Sequence, residues 1–114
     1  MFTLRFRVTF APPAYAEAFR TLRSLLGPIR AQPGCRTTRL LREVEDDSSL
    51  TFIEEWRDRA ALEAHLHSEA FRKLVALLEQ GSEAPEVEID DVRIRSGVEL
   101  MESILAHGVQ ERVE

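Results

Sequence analysis

The sequence predicts an α+β fold of the ferredoxin-like type, with a four-stranded antiparallel sheet and helices on one of its faces. Three observations support this: a strictly alternating first strand, two segments with helical apolar spacing, and the overall order βαββαβ followed by one more helix. A chain of 114 residues suits a single domain. We therefore expect one domain over residues 1–114, with a core at 2–95 and a C-terminal helix at 97–107.

The first strand and the first helix are indicated by their apolar spacing. Between residues 2 and 10 every second residue is apolar, which is typical of a half-buried strand; these residues are Phe2, Leu4, Phe6, Val8 and Phe10. Pro12 and Pro13 suit the first turn of a helix. Apolar residues then recur at helical spacing from Tyr15 to Leu26, and Gly27-Pro28 is predicted to end or bend this helix.

The middle of the chain predicts a hairpin and a broken helix. Two β-rich segments, 35–45 and 50–56, flank the short polar sequence DDSS. Asp58 and Ser68 are suitable N-caps, so the helical region 59–80 is predicted to break near Ser68. Residues 86–96 are the predicted fourth strand, and Ser96 with Glu99 forms a capping box before the last helix.

The face of the sheet away from the helices is predicted to be charged. In a ferredoxin-like sheet the first strand lies between the third and the fourth, which places Arg5 and Arg7 at the centre of this open face. Acidic residues flank them, and the apolar part is Ile53 with Val44 or Leu40; the acidic residues are Glu55, Glu86, Glu88 and Asp90. Such a face is either solvated or covered by a second copy of the chain.

Composition excludes several classes of protein. A net charge of −5 argues against a nucleic-acid partner, since such proteins need a basic surface. No apolar run approaches the ~20 residues that cross a membrane, so no membrane partner is expected. The single cysteine, Cys35, excludes an internal disulfide and favours a cytoplasmic location. We interpret it as a small buried side chain.

The segment FIEEWRDRAALEAHLHSEAF, residues 52–71, carries the candidate site. Glu54 and Trp56 share a strand face with Phe52, the face predicted to meet the helices, and His65 lies on the helix that follows. His65 is either a general base beside an aromatic pocket or a structural group packed on Trp56. His65 and His67 are two residues apart, so they point in different directions on a helix, and no metal site is expected.

The chain resembles the antibiotic biosynthesis monooxygenase (ABM) domains of the dimeric α+β barrel superfamily. The similar pieces are PGC before the second strand, EEW at the end of the third, and ALEAHLHSEAF in the next helix; the resemblance covers residues 2–95. It implies a homodimer whose two sheets meet in a barrel, and a small-molecule cavity between helices and sheet in each subunit. SGVELMESILAHG looks like an addition to the family's domain.

The chain lacks residues that the catalytic members of that family carry. Its haem-degrading members carry a histidine iron ligand where this chain has Val75, between Leu74 and Ala76, and an asparagine that this chain lacks altogether. Haem is therefore not expected as a substrate. What remains implied is a cofactor-independent monooxygenase acting on a small aromatic molecule, such as a phenol, a quinol or a polyketide-like compound.

Two functions stay open at this point. In the first, His65 is the catalytic base, Glu54, Trp56 and Phe52 form the substrate pocket, and no cofactor is bound. In the second, the chain is a non-catalytic dimeric module of the same fold that binds a small molecule or only dimerises. Because no complete catalytic set is present, the structural interpretation of His65 has the greater weight.

Overall fold

A computed structural model describes residues 1–107, which form four strands and four helices. The bounds are β1 Phe2–Thr9, α1 Pro12–Arg30, β2 Cys35–Arg42, β3 Ser49–Trp56, α2 Arg59–Leu66, α3 Glu69–Leu78, β4 Glu86–Asp91 and α4 Val98–His107. Within these residues no helix is both long enough and apolar enough to span a membrane.

The strands form one antiparallel sheet in the order β2-β3-β1-β4. As predicted, β1 lies between β3 and β4: Phe6 pairs with Phe52 on one side and with Val87 on the other. The alternation in β1 decides which face is buried, because Leu4, Phe6 and Val8 are almost inaccessible beneath the helical layer. The α+β ferredoxin-like fold is confirmed.

Two N-caps divide the helical region 59–80, as predicted. The Asp58 side chain accepts a hydrogen bond from the backbone N–H of Ala61 at 2.9 Å, which begins α2. The Ser68 hydroxyl accepts one from the N–H of Phe71 at 3.1 Å, which begins α3. Each cap satisfies a backbone donor that the first turn of a helix leaves unpaired. The corner between α2 and α3 therefore follows from the sequence.

Of the two predicted effects of Gly27-Pro28 on α1, an end or a bend, the first is wrong. The helix continues through Gly27-Pro28 to Arg30, so Pro28 does not end it. Ile29 is fully buried in the core, and the guanidinium of Arg30 donates to the carbonyl of Thr38 at 2.8 Å. These tertiary contacts outweigh the hydrogen bond that a proline removes from a helix.

A β-bulge changes which residues of β2 face the helices. The register between β2 and β3 shifts between Cys35 and Thr37. Because the side-chain period of a strand is two, this extra residue exchanges the faces of all residues after it. Leu40 therefore pairs with Phe52 on the helical side and Leu41 lies on the open face, whereas the sequence predicted Leu40 there. Val44 lies beyond the end of β2 and is fully exposed.

Opposite charges pair across the open face, as predicted. Arg5 contacts Glu88 at 2.8 Å, and Arg7 contacts three carboxylates, those of Glu43, Asp46 and Glu86. Exposed pairs of this kind contribute only about 0–1 kcal/mol each. Their main effect is to give both arginines at the centre of the face an acidic partner, which lowers the cost of removing these two cations from water.

Asp46 organises the hairpin between β2 and β3. The hydroxyls of Ser48 and Ser49 donate to its carboxylate at 2.7 and 2.8 Å. These bonds, together with Arg7, lower the pKa of Asp46 from 3.8 to about 2. A depressed pKa stabilises the folded state above the unfolded value, and this contribution is lost as the pH falls from about 4 towards 2. We therefore expect the hairpin to loosen only in strong acid.

The PGC turn lies tightly against α2. Gly34 has φ +82°, and a Cβ atom there would lie 2.4 Å from the Cβ of Ala61. Its carbonyl accepts from the N–H of Arg57 at 2.8 Å, which joins the turn to the end of β3. Only glycine adopts this conformation without strain while allowing α2 to come so close.

Replacing Gly34 with alanine is expected to lower the free energy of unfolding by more than the ~1–2 kcal/mol that a left-handed alanine alone costs, because the methyl group also meets Ala61. Urea unfolding of Gly34→Ala, Ala61→Gly and the double variant measures both effects. The double variant should lose less than the sum of the two single variants, since removing the Ala61 methyl relieves the overlap. Additive losses would show that the two positions do not collide.

Candidate functional site

Three predicted site residues meet beneath α2. Glu54 and Trp56 are two residues apart on β3 and so share the face that packs against the helices, and His65 reaches them from α2. All three are at most 1% exposed. Phe52 lies on the same face of β3, buried opposite Phe6. The structure thus brings Glu54, Trp56 and His65 into one cluster, with Phe52 beside it in the core.

The imidazole of His65 is held on four sides. It stacks on the indole of Trp56 with ring centroids 4.3 Å apart, and Phe71 meets it edge-on at 5.2 Å. Its Nδ1 lies 2.8 Å from Oε1 of Gln32, and its Nε2 lies 2.9 Å from Oε1 of Glu54. The Nε2 contact lacks the direction of a good hydrogen bond, and it is an ion pair only when the ring carries both protons.

The carboxylate of Glu54 has one engaged oxygen and one free oxygen. Oε1 accepts from the indole N–H of Trp56 at 2.9 Å and faces His65, whereas Oε2 is buried without a hydrogen-bond partner. Burying a carboxylate is costly unless its oxygens are hydrogen-bonded, and most buried polar atoms have partners. Oε2 is therefore an exception in this core that calls for an explanation.

Gln32 is a member of this cluster that the sequence analysis did not identify. Its amide nitrogen donates to the hydroxyl of Ser68 at 3.2 Å, and its amide oxygen faces His65. The residue precedes the PGC turn and is 33 positions from His65. A glutamine beside a turn has no periodicity or motif of its own, so only the folded chain could reveal this contact.

The Gln32 amide can satisfy His65 in either protonation state. With its oxygen towards Nδ1, it accepts from a ring that carries protons on both nitrogens, and Glu54 then faces an imidazolium. Rotated by 180°, it donates to a neutral ring, and its oxygen accepts from Ser68 instead. His65 can therefore gain or lose one proton without losing the contact at Nδ1.

A surface groove lies on the Nδ1 side of His65. It has a volume of about 400 Å³ and is lined by Gln32, Pro33, Arg57, Ala60, Ala61, Ala64, His65 and Ser68. Three of these residues are alanines on α2, and their small side chains leave the space open. Glu54, Trp56 and Phe52 do not line the groove; they lie beneath His65 in the core. Gln32 lines the groove together with His65 and contacts its Nδ1.

Cys35 lies beside this cluster without serving as a reactive group. Its thiol is 3.1 Å from the hydroxyl of Thr38, and partial burial, with the nearby charge of Glu54 adding to it, raises the pKa of the thiol. A thiol with a raised pKa is a weak nucleophile near neutral pH. The residue packs against the edge of the core but is only partly buried, whereas the sequence analysis expected it to be buried.

The model of one protein family matches most of the chain. It is that of the antibiotic biosynthesis monooxygenase, and it matches residues 1–77. This chain belongs to the ABM family. An uncharacterized protein of Synechocystis sp. (strain ATCC 27184 / PCC 6803 / Kazusa) is 34% identical over 64 residues, which are 55% of this chain and 44% of that protein. The match thus spans less than half of the cyanobacterial protein.

Solved structures of three other proteins have the same fold. PA3566 of Pseudomonas aeruginosa is 34% identical with a TM-score of 0.69, over 83% of this chain and 94% of that one. A crystal structure described as an antibiotic biosynthesis monooxygenase is 27% identical with a TM-score of 0.73, over 82% and 100%. A putative family member from Deinococcus radiodurans, 12% identical, reaches 0.78 over 85% and 97% and shows the shared fold alone.

Proposed function

We propose that this ABM protein is a cofactor-independent monooxygenase that oxidises small phenols or quinols. The observation that carries the proposal is the Glu54–His65 pair, buried between Trp56 and Phe71, with Nδ1 of His65 directed to the groove through Gln32. A positioned imidazole backed by a carboxylate is the arrangement that general-base chemistry requires. Because the chain belongs to the ABM family, we propose that this base prepares a substrate for reaction with O₂.

The first step is removal of the substrate's hydroxyl proton. A phenol in the groove displaces the amide of Gln32 and hydrogen-bonds to Nδ1 of His65. Nδ1 accepts the proton, and the carboxylate of Glu54, 2.9 Å from Nε2, stabilises the imidazolium that forms. The off-axis contact of the free protein is expected to tighten when substrate binds, as catalytic hydrogen bonds commonly do.

The phenolate then supplies all the electrons that oxygen needs. Its para carbon transfers an electron to O₂ and combines with the resulting superoxide, which gives a peroxide that takes the proton back from His65. Removal of the hydrogen on that carbon breaks the O–O bond and releases water, leaving a carbonyl. One phenol and one O₂ thus yield one quinone and one H₂O, and the base is regenerated.

Ligand binding is expected to quench the fluorescence of Trp56. It is the single tryptophan of the chain, and its indole stacks on the imidazole that borders the groove. Titration with a phenol should give saturable quenching. The matched methyl ether, which cannot donate to Nδ1, should bind roughly 3–10-fold more weakly, the value of one ordinary hydrogen bond. Equal affinities for both compounds, or no response, would favour the second function below.

The alternative function is a non-catalytic module of the same fold. The observation that favours it is the burial of His65 and Glu54, since their contacts with Gln32 and Trp56 also suit a purely structural corner. Such a protein would consume no oxygen with any phenol. It would also tolerate substitution of Gln32 with no consequence beyond stability.

We also propose that the protein is a homodimer joined through its open sheet faces, as the family resemblance implies. The helices α1 to α3 pack on the other face and leave only its β4 edge exposed, whereas no described helix packs on this one. Arg5 and Arg7 at the centre of the face both have acidic partners, and Ile53 and Leu41 give it an apolar part. Both features lower the cost of placing it against a second copy.

A further inference from the structure

The C-terminal helix α4 exposes its apolar face. That face consists of Val98, Leu100, Met101, Ile104 and Leu105, which are between 46% and 74% exposed. No residue of α4 is buried. A helix of ten residues is marginal in water on its own, because most helical stability in proteins comes from packing of an apolar face. An exposed apolar helix face of this kind therefore indicates a surface that is covered in the functional assembly.

An ion pair directs α4 to the open side of the sheet. Arg95 lies between β4 and α4, and its Nη2 is 2.8 Å from Oε2 of Glu55. Glu55 is 8% exposed and follows Glu54 on β3, so its side chain lies on the face opposite the helices. Arg95 lowers the pKa of Glu55, which keeps the carboxylate charged and the pair intact near neutral pH. Helix α4 therefore begins on the side of the sheet where the sheet of a second copy would pack.

The shape of the molecule agrees with a helix α4 that projects from the rest of the domain. The Cα radius of gyration is 17.3 Å, whereas a compact chain of this length has about 13 Å. The segment before α4 is anchored at Glu55 on the open side of the sheet, and no residue of α4 is buried against α1, α2 or α3. Its apolar face is thus turned away from its own core and is available to a neighbouring molecule.

Exchange of α4 would enlarge an interface formed by two open sheet faces. Four strands spaced ~4.8 Å apart, of about eight residues rising ~3.3 Å each, have a flat outline of roughly 500 Å². One face of α4, ~15 Å long and ~10 Å wide, adds roughly 150 Å² of flat outline, and as much again where the partner's helix is received. The exchange would thus increase the outline of the interface by more than half and would bury the exposed apolar face of α4.

We propose that α4 is a dimerisation arm whose apolar face packs on a second copy of this chain, beside the joined sheet faces. The arms are exchanged reciprocally, as two-fold symmetry requires. The polar face, which carries Glu99 and Glu102, stays in water. This inference rests on the sheet-face dimer proposed above and is independent of the oxygenase chemistry.

The test compares two variants of the full chain that add the same charge to opposite faces of α4. Met101→Glu/Ile104→Glu places two carboxylates in the apolar face, and Ser103→Glu/Ala106→Glu places two in the polar face. Sedimentation equilibrium over a concentration series measures the dimer Kd of each. We expect at least a tenfold weaker dimer for the first variant, because a charge buried without a partner is strongly unfavourable, and a change below about twofold for the second. Circular dichroism should show the same folded core in both.

A contact in trans is measured separately. A photo-reactive phenylalanine at position 105 is irradiated in an equal mixture of ¹⁵N-labelled and unlabelled protein, and mixed-isotope crosslinked peptides identify contacts between copies. Their presence supports the arm; crosslinks within one chain only would overturn it. Equal dimer Kd values for the two variants would also overturn it while leaving the sheet-face dimer intact. A wild-type protein whose measured mass stays at the 13.0 kDa of one chain would contradict both the dimer and the dimerisation arm.

Discussion

Replacing His65 with alanine is expected to slow the oxidation of a responsive phenol by ~10²–10⁴-fold, the usual loss when a general base is removed. The reason is that Nδ1 of this imidazole is the basic atom nearest the groove, while Glu54 can reach substrate only through it. Oxygen uptake at saturating phenol measures the effect. The loss should fall mainly on kcat, because the groove itself is retained.

Stability alone does not reveal the role of His65. The imidazole is buried and faces Glu54, so its removal should cost ~1–3 kcal/mol whether or not it is catalytic. Two controls separate the roles. His67→Ala, which removes an exposed imidazole two residues away, should leave the rate unchanged. Free imidazole should fill the space in His65→Ala and restore part of the rate. An unchanged rate in His65→Ala would assign the residue a structural role only.

Replacing Trp56 with alanine is expected to have the largest effect on stability. The indole is inaccessible to solvent, stacks on His65 and donates to Glu54. Its loss leaves a cavity in the core and should lower the free energy of unfolding by ~3–5 kcal/mol. This is a large part of the ~5–15 kcal/mol by which a domain of this kind is stable. Urea unfolding followed by circular dichroism, at one fixed protein concentration, measures it.

Trp56→Phe separates the packing of the indole from its hydrogen bond. Phenylalanine keeps most of the stacked ring but cannot donate to Oε1 of Glu54, so this variant should lose only ~1–3 kcal/mol. It should also lower the rate, because the carboxylate that supports His65 is less well held. A loss below about 1 kcal/mol in Trp56→Ala would contradict the central place of this ring in the core.

Local rules explain the parts of the fold that the sequence predicted well. The alternation in β1 places Leu4, Phe6 and Val8 in the core, and the side chains of Asp58 and Ser68 end up at the N-termini of α2 and α3. Each of these features depends on residues only a few positions apart. The meeting of Glu54, Trp56 and His65 was predictable for the same reason, since one strand and the next helix supply all three.

Features that depend on distant contacts were not predictable. The bulge between Cys35 and Thr37 leaves no mark in the sequence, yet it decides whether Leu40 or Leu41 faces the helices. Helix α1 continues beyond Pro28 because burial of Ile29 stabilises its last turn, although proline is normally unfavourable within a helix. Gln32 approaches His65 only because the PGC turn folds onto α2. In each case tertiary packing outweighs a local preference.

The most direct test of the proposed chemistry is oxidation of a phenol by the purified, chelator-treated protein under ¹⁸O₂. The mechanism predicts one ¹⁸O atom per quinone molecule, in the newly formed carbonyl, with the second ¹⁸O atom in water and one O₂ consumed per quinone. It also predicts no accumulation of hydrogen peroxide, and a rate that falls ~10²–10⁴-fold in His65→Ala. Quinone formed at the same rate by His65→Ala as by the wild type, or no protein-dependent incorporation of ¹⁸O with any phenol or quinol, would contradict it.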